Sequence, residues 1–277
     1  MRVRWTWLRS VEGWAGRRND VLYGCRDAMG AGERARHLVV LFPGDLMASR
    51  DQDGDARAPS YEHAANDMLA NDEDAGALVL VRPYDNSRGV AVYDNFVDVD
   101  EATGCALMQD PRGHATDHLF ALLRNVHAQT GADVSRIVLS GFSRGGIVLN
   151  QMVAELAGRS MPHTLWNSVC GVRWLDPGNS PANGSFPLDP AAVDRFAGLC
   201  ARQSVHVALA GTPFQWDNPS RPRTRQEMTT FVDLLRHRLP KHLLTVHYLH
   251  ADAPPSIEKH FDVLAARLRP TAADPHA

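Results

Sequence analysis

Six short apolar runs recur along the chain, and most of them are stopped by glycine or proline. They occupy residues 37–42, 77–81, 136–139, 169–175, 205–210 and 243–249. Runs that are rich in valine and leucine and bounded by turn residues are typical of strands buried on both faces. The pattern therefore predicts six strands of a largely buried sheet.

Amphipathic helical patterns fill the gaps between these runs. In the clearest of them Leu119, Leu122 and Val126 share one face, and Gly131 follows as a stop signal. We predict helices over residues 60–70, 116–130, 146–157, 189–200, 225–239 and 259–268. Alternation of strands and helices predicts an α/β fold with a mostly parallel sheet and helices on both faces. Functional residues are then expected in the loops that follow the strands.

Composition and charge exclude several classes of protein. The 277 residues carry 29 Lys and Arg against 32 Asp and Glu, so no net charge attracts nucleic acid or an anionic membrane. No apolar run approaches the roughly 20 residues of a transmembrane helix. The four cysteines lie far apart without a CxxC pair, which favours an intracellular, reducing compartment, either cytoplasmic or mitochondrial.

The first residues are rich in arginine and lack the apolar core of a secretory signal. We interpret residues 1–17 as an N-terminal arm or short targeting-like segment, 18–270 as one domain and 271–277 as a tail. The stretch 177–200 leaves room for a minimal lid, because proline, glycine and asparagine are frequent in its first ten residues.

The third run leads into a G-x-S-x-G motif, with Gly141, Ser143 and Gly145, and then into a predicted helix. This strand–turn–helix context is typical of a nucleophile elbow, in which a strained turn exposes a serine hydroxyl. Glycines two residues before and after the serine leave space for neighbouring backbone. Ser143 is therefore the candidate nucleophile.

The first strong run leads into Gly44 and Asp45. In an elbow hydrolase, one oxyanion donor is the N–H after the nucleophile, and the other comes from the loop after a neighbouring strand. We predict that the backbone N–H groups of Arg144 and Asp45 form this oxyanion hole. The Asp45 and Arg144 side chains flank the same point, and an ion pair between them is a further hypothesis.

The chain order of this fold places the acid and then the histidine after the serine. His260 follows a loop and begins a helix, which suits a general base better than His250 at the end of the last run. Two aspartates remain as the orienting acid, Asp176 after the fourth run and Asp217 after the fifth. The preference of elbow hydrolases for the later strand favours Asp217.

Several longer motifs resemble an uncharacterised α/β-hydrolase-like family, whose human member is a mitochondrial protein known only as an open reading frame on chromosome 2. The matching stretches are 18–22, 42–45, 93–97, 141–145, 148–151, 174–176, 212–215 and 255–261. The resemblance implies catalytic positions for Ser143 and His260. It moves the acid to Asp176, because Trp174-Leu175-Asp176 fits the family pattern, while the family's acidic residue near Asp217 corresponds to Asn218.

The residues together predict a serine hydrolase that forms an acyl-enzyme with an ester, thioester or lipid-type substrate. No cofactor is implied. No metal site is expected, because the H-x-x-D-H spacing from His114 to His118 matches no zinc signature. The alternative is a hydrolase-fold pseudoenzyme that acts as a binding or assembly partner of another protein.

Overall fold

The computed structural model describes residues 3–26, 37–49, 57–85, 89–178 and 184–268. These residues form one eight-stranded sheet with the order β1-β2-β4-β3-β5-β6-β7-β8. The strands are β1 (Val3–Glu12), β2 (Arg18–Arg26), β3 (His37–Phe42), β4 (Ala75–Val81), β5 (Ile137–Phe142), β6 (Val169–Leu175), β7 (His206–Gly211) and β8 (Leu244–Tyr248). Along the sheet from β4 to β8, all neighbouring strands are parallel, whereas β2 is antiparallel to both of its neighbours, β1 and β4.

The helices cover both faces of the sheet, as the sequence predicts. They are α1 (Tyr61–Asn71), α2 (Ala115–Thr130), α3 (Gly146–Gly158), α4 (Pro190–Gln203), the short α5 (Pro213–Trp216), α6 (Pro222–Arg236) and α7 (Ile257–Asp262). Apolar residues of α2, α3, α4 and α6 pack with one face of the sheet. Those of α1 and α7 pack with the other. No helix in the described ranges is long and apolar enough to cross a membrane.

Strand β3 shows why apolar runs of this kind correspond to buried strands. All six of its residues are buried. Leu38, Val40 and Phe42 point to one core, while Val39 and Leu41 point to the other, because side chains alternate across a strand. A strand covered on both faces needs apolar residues at consecutive positions, which is the signal in the sequence.

The register brings the strand ends to a common edge. Phe42 pairs with Gly141, Phe142 with Leu175, and Leu175 with Ala210. The loops after β3, β5, β6 and β7 therefore lie side by side, and the serine elbow after β5 is at their centre. This sheet, with its elbow between a parallel strand and a helix, is the predicted α/β-hydrolase fold.

The N-terminal arm is part of the sheet. Residues of β1 pair with β2 from Val3↔Arg26 to Glu12↔Arg18, with a bulge between Leu8 and Val11. The Trp7 Nε1 donates a hydrogen bond to Glu62 Oε1 on α1. Neither strand forms a continuous apolar run: nine of the ten residues of β1 are half-buried or exposed, and β2 mixes buried, half-buried and exposed positions.

The stretch proposed for a lid divides into two parts. Its second half is helix α4, whose Val193, Phe196 and Ala197 are fully buried in the core. Residues 179–183 and the predicted tail lie outside the described residues. Gly184 and Ser185, which lie between residues 179–183 and α4, line a cavity beside Ser143.

Candidate active site

Ser143 lies on a sharp turn between β5 and α3. Its φ angle is 49°, in the left-handed region that non-glycine residues rarely adopt. A Cβ atom at Gly141 would lie 2.8 Å from Gly146 Cα, and one at Gly145 would lie 2.0 Å from the Phe42 carbonyl oxygen. The two glycines are therefore required by close backbone contacts, as expected for an elbow.

The loop after β3 passes directly against this turn. A Cβ atom at Gly44 would lie 2.6 Å from Ser143 Cβ. The Leu46 N–H donates to the Gly89 carbonyl at 2.9 Å, which holds the loop that carries the Asp45 N–H. The predicted oxyanion donors, Asp45 and Arg144, thus lie on two segments that meet at Ser143.

The side chains of Asp45 and Arg144 form the ion pair that the sequence suggested. Arg144 Nε donates to Asp45 Oδ1 at 2.7 Å, and the same oxygen accepts from the Ala91 N–H at 2.8 Å. Burial acts to lower the pKa of Arg144, but the Asp45 carboxylate outweighs it and the pKa is raised. The pair ties the elbow to the loop after β3.

A tyrosine that the sequence analysis gave no role supports the same loop. Tyr93 is buried, and its hydroxyl donates to the Pro43 carbonyl at 2.6 Å. Burial raises the pKa of Tyr93, so the phenol stays protonated as a donor. Its neighbour Phe96 packs edge-on against Phe42 at the end of β3, with ring centroids 5.3 Å apart.

Asp176 and His260 form a buried hydrogen-bonded pair. Asp176 directly follows β6, has a φ of 41° and is fully buried. His260 Nδ1 lies 2.7 Å from Asp176 Oδ2, which leaves Nε2 as the nitrogen not used in this contact. A carboxylate on Nδ1 is the arrangement that fixes the tautomer of a catalytic histidine.

Thr212 completes the surroundings of the carboxylate. Its N–H donates to Asp176 Oδ1 at 2.8 Å, and its hydroxyl donates to Oδ2 at 2.6 Å. The same hydroxyl accepts from Phe214 N and caps the short helix α5. In the sequence, Thr212 stood out only as part of the family-like stretch 212–215, and a threonine N-cap directly before Pro213 was the available signal for its position.

The ring of His260 is held by aromatic neighbours. Its centroid lies 4.6 Å from that of Phe142 and 4.8 Å from that of Phe214, at interplanar angles of 32° and 33°. The histidine is only 3% exposed and belongs to α7, whose N-cap Ser256 accepts from Lys259 N. These contacts fix the plane of the imidazole.

A cavity of about 610 Å³ opens over this arrangement. Ser143, His260, Asp45 and Arg144 all line it, whereas Asp176 lies behind His260. Further parts of the lining are Phe214, Gln215 and the segment 220–224 at the start of α6. The structure therefore brings together the predicted serine, histidine and Asp176, with both predicted oxyanion residues beside them.

The other candidates lie elsewhere. Asp217 is ion-paired with Arg225 and accepts from the Tyr248 hydroxyl on the surface. His250 pairs with Asp262, their atoms Nε2 and Oδ2 being 3.0 Å apart. The residues that the structure describes contain no group of three or more His, Cys, Asp or Glu side chains that could hold a metal ion.

Comparison with known proteins confirms the family resemblance over part of the chain. Residues 127–239 match the model of the C2orf69 family. The mouse mitochondrial protein C2orf69 homolog is 31% identical over 134 residues, covering 47% of this chain and 35% of that protein. The human mitochondrial protein C2orf69 is 30% identical over 128 residues, covering 45% and 32%. The matched region spans about a third of the length of these relatives.

Among solved structures, an uncharacterised protein from Capnocytophaga ochracea superposes with a TM-score of 0.50 at 9% identity. The match covers 95% of this chain and 63% of that one. At this identity the likeness concerns the fold alone.

Proposed function

We propose that this protein is a serine hydrolase that cleaves an ester, thioester or lipid-type substrate through an acyl-enzyme. The observation that carries the proposal is the buried Asp176–His260 pair, whose histidine shares a cavity with the strained Ser143. Neither a strained serine nor a buried carboxylate–histidine pair is needed to hold a sheet together. Their combination is what nucleophilic catalysis requires.

In the proposed first step the Ser143 Oγ attacks the substrate carbonyl, and its proton passes to His260 Nε2. Asp176 holds Nδ1 and stabilises the imidazolium that forms. The carbonyl oxygen becomes an oxyanion and accepts from the N–H groups of Arg144 and Asp45. As the tetrahedral intermediate collapses, the bond to the leaving group breaks and His260 returns the proton to that group.

The second step repeats this sequence with water. His260 takes a proton from water, the hydroxide attacks the acyl carbonyl, and Ser143 leaves with its proton restored. The acid product and the starting enzyme result. The electrostatic part of this scheme is favoured by the position of Ser143 in the turn directly before α3, where the positive end of the helix dipole stabilises an oxyanion.

A fluorophosphonate probe tests the proposal directly, because it modifies an activated serine without requiring the natural substrate. The full chain is expected to be labelled on the peptide that contains Ser143, and Ser143→Ala is expected to abolish labelling. Ser160→Ala is the matched control, since Ser160 is exposed and outside the cavity lining. Absence of labelling in the folded wild type would contradict the proposal and favour the alternative of a binding protein without turnover.

The compartment stays a prediction. All four cysteines are free thiols, which fits a reducing environment, whether cytoplasm or mitochondrion. The mouse and human relatives are both named mitochondrial proteins, which supports the mitochondrion over the cytoplasm.

A further inference from the structure

Three arginines at the start of α6 differ in their partners. Arg225 is ion-paired with Asp217, and Arg223 lies 3.5 Å from Glu227. Arg221, in contrast, has no carboxylate within ion-pair distance among the described residues. A guanidinium carries its charge at any physiological pH, so this cation is available to a ligand.

The Arg221 side chain is exposed, but two contacts hold it in place. Its Nη1 donates to Gln215 Oε1 at 2.6 Å, and its Cζ lies 4.5 Å from the centroid of the Phe214 ring. Gln215 is buried, which makes it a rigid acceptor. Cation–π stacking on Phe214 fixes the plane of the guanidinium and leaves its remaining N–H groups to bind another acceptor.

Arg221 also contacts an aromatic ring that packs against the proposed catalytic histidine. The same Phe214 ring stacks on His260, so the guanidinium and the imidazole share one aromatic neighbour. Arg221 and Ser143 line the same cavity. A substrate bound to Ser143 would therefore extend within reach of Arg221.

The charge of the cavity selects the kind of anion. Its described lining contains three arginines, Arg144, Arg221 and Arg223, against two carboxylates, Asp45 and Glu227. Beside this lining, the Asp176 carboxylate also acts electrostatically on Arg221. Three carboxylates near the site would repel a dianionic phosphate more strongly than a monoanionic carboxylate.

We propose that Arg221 binds a carboxylate carried by the substrate, so that the preferred substrates are monoesters or monothioesters of dicarboxylic acids. This inference rests on the proposed serine hydrolase function. It adds a substrate class that the acyl chemistry alone does not specify. Arg221 would act as a binding residue for the far end of the acyl chain, while Ser143 and His260 act on the ester.

The test compares 4-nitrophenyl monoesters of succinic, glutaric and adipic acid with their methyl-capped neutral counterparts. The wild type is expected to favour at least one free acid over its methyl ester by about tenfold or more in kcat/KM, as for a charge-assisted hydrogen bond. Arg221→Gln is expected to bring the ratio of kcat/KM between free acid and methyl ester to about one, mainly by raising KM for the free acids. Arg225→Gln, in the same segment but outside the cavity lining, is expected to retain the preference for the free acid.

The two proposals fail differently. If Ser143 is labelled by fluorophosphonate and neutral esters are cleaved, but free acids have no advantage in the wild type, only the carboxylate inference is overturned. If neither labelling nor hydrolysis occurs, the serine hydrolase proposal fails first. Arg221→Lys provides a second variant should the glutamine variant be unstable; it keeps the charge without the planar fork and is expected to retain part of the preference.

Discussion

The carboxylate of Asp176 accepts a hydrogen bond from His260, with Nδ1 2.7 Å from Oδ2, and two further hydrogen bonds from Thr212. All three contacts are buried. An oxygen held in this way cannot rotate away from the histidine, so the pair orients the imidazole toward the cavity that Ser143 lines.

Replacing Asp176 with asparagine should disable His260 while leaving the fold largely intact. An asparagine has one acceptor oxygen instead of two, so it cannot accept from Thr212 and His260 as the carboxylate does. The imidazole then loses its preferred tautomer, and we expect the rate of fluorophosphonate labelling of Ser143 to fall by about 10⁴-fold. Quenching the labelling reaction at several times and quantifying the labelled peptide by mass spectrometry measures this rate.

Asp217→Asn is the matched control, because Asp217 was the other candidate acid and pairs with Arg225 instead. Its labelling rate should stay close to that of the wild type. A large loss in Asp217→Asn together with a small one in Asp176→Asn would show that the orienting acid has been misassigned.

Asp45→Asn tests the link between the elbow and the loop after β3. Among the described residues, nothing forms a hydrogen bond with the buried Nη1 of Arg144, and the carboxylate that compensates the charge of the guanidinium is that of Asp45. Removing that carboxylate should lower the free energy of unfolding by about 1–3 kcal/mol. The labelling rate of Ser143 should fall as well, because the predicted oxyanion donors lie on the two tethered segments.

Urea unfolding and labelling kinetics measure the two effects. Asp110→Asn serves as the control, since Asp110 pairs with Arg112 on the exposed surface; exposed pairs of this kind contribute about 0–1 kcal/mol. Unchanged stability and rate in Asp45→Asn would show that the ion pair has no role in positioning the loop.

Gly145→Ala should be far more costly than an alanine substitution at an open glycine. The added Cβ would meet the Phe42 carbonyl oxygen at 2.0 Å and the Pro43 carbonyl oxygen at 2.8 Å, both of them backbone atoms that cannot rotate away. We expect a loss of about 3 kcal/mol or more in the free energy of unfolding.

Gly131 is the control for this prediction because its surroundings are open, although its own backbone is left-handed. It is the C-cap of α2 with a φ of 72°, and no atom of the described residues would lie within 4 Å of a Cβ added there. Gly131→Ala should cost only about 1–2 kcal/mol, the strain of a left-handed alanine. Equal losses at the two sites, read from thermal or urea unfolding, would contradict the steric argument.

The interior strands could be predicted from the sequence because burial on both faces leaves a direct record. The run 169–175 coincides with β6, and 37–42 with β3. The two antiparallel strands β1 and β2 left no such record. Both strands contain exposed positions, which tolerate polar residues such as Arg4 and Arg18, so neither reads as a continuous apolar run.

The candidate site divides along similar lines. The position of Ser143 follows from local spacing, since both glycines of its motif lie within two residues of it. The contact between Asp176 and His260 joins residues 84 positions apart. The strand order alone favoured Asp217, and only the resemblance of Trp174-Leu175-Asp176 to a family motif indicated Asp176. Thr212, Phe214 and Tyr93 act through contacts made only in the folded chain. Sequence spacing gives no sign of where their hydroxyls and rings point.

His118 should make the protein less stable as the pH falls from neutral. It is fully buried, its Nδ1 accepts from Trp14 N at 3.1 Å, and its Nε2 lies 2.8 Å from Asn19 Oδ1. Burial lowers the pKa of His118 to about 4, below the value near 6.5 of an unfolded histidine. Between these two values the unfolded chain binds a proton that the folded chain does not.

The contribution of His118 is therefore complete above about pH 6.5 and is lost progressively as the pH falls toward 4. His206, whose pKa burial also lowers to about 4, adds to the same slope. Urea unfolding at several pH values between 7 and 4 should show a steady loss of stability, and His118→Gln should make that loss shallower because it removes one of the titrating groups. A slope that is identical in the wild type and His118→Gln would mean that folding does not lower the pKa of His118.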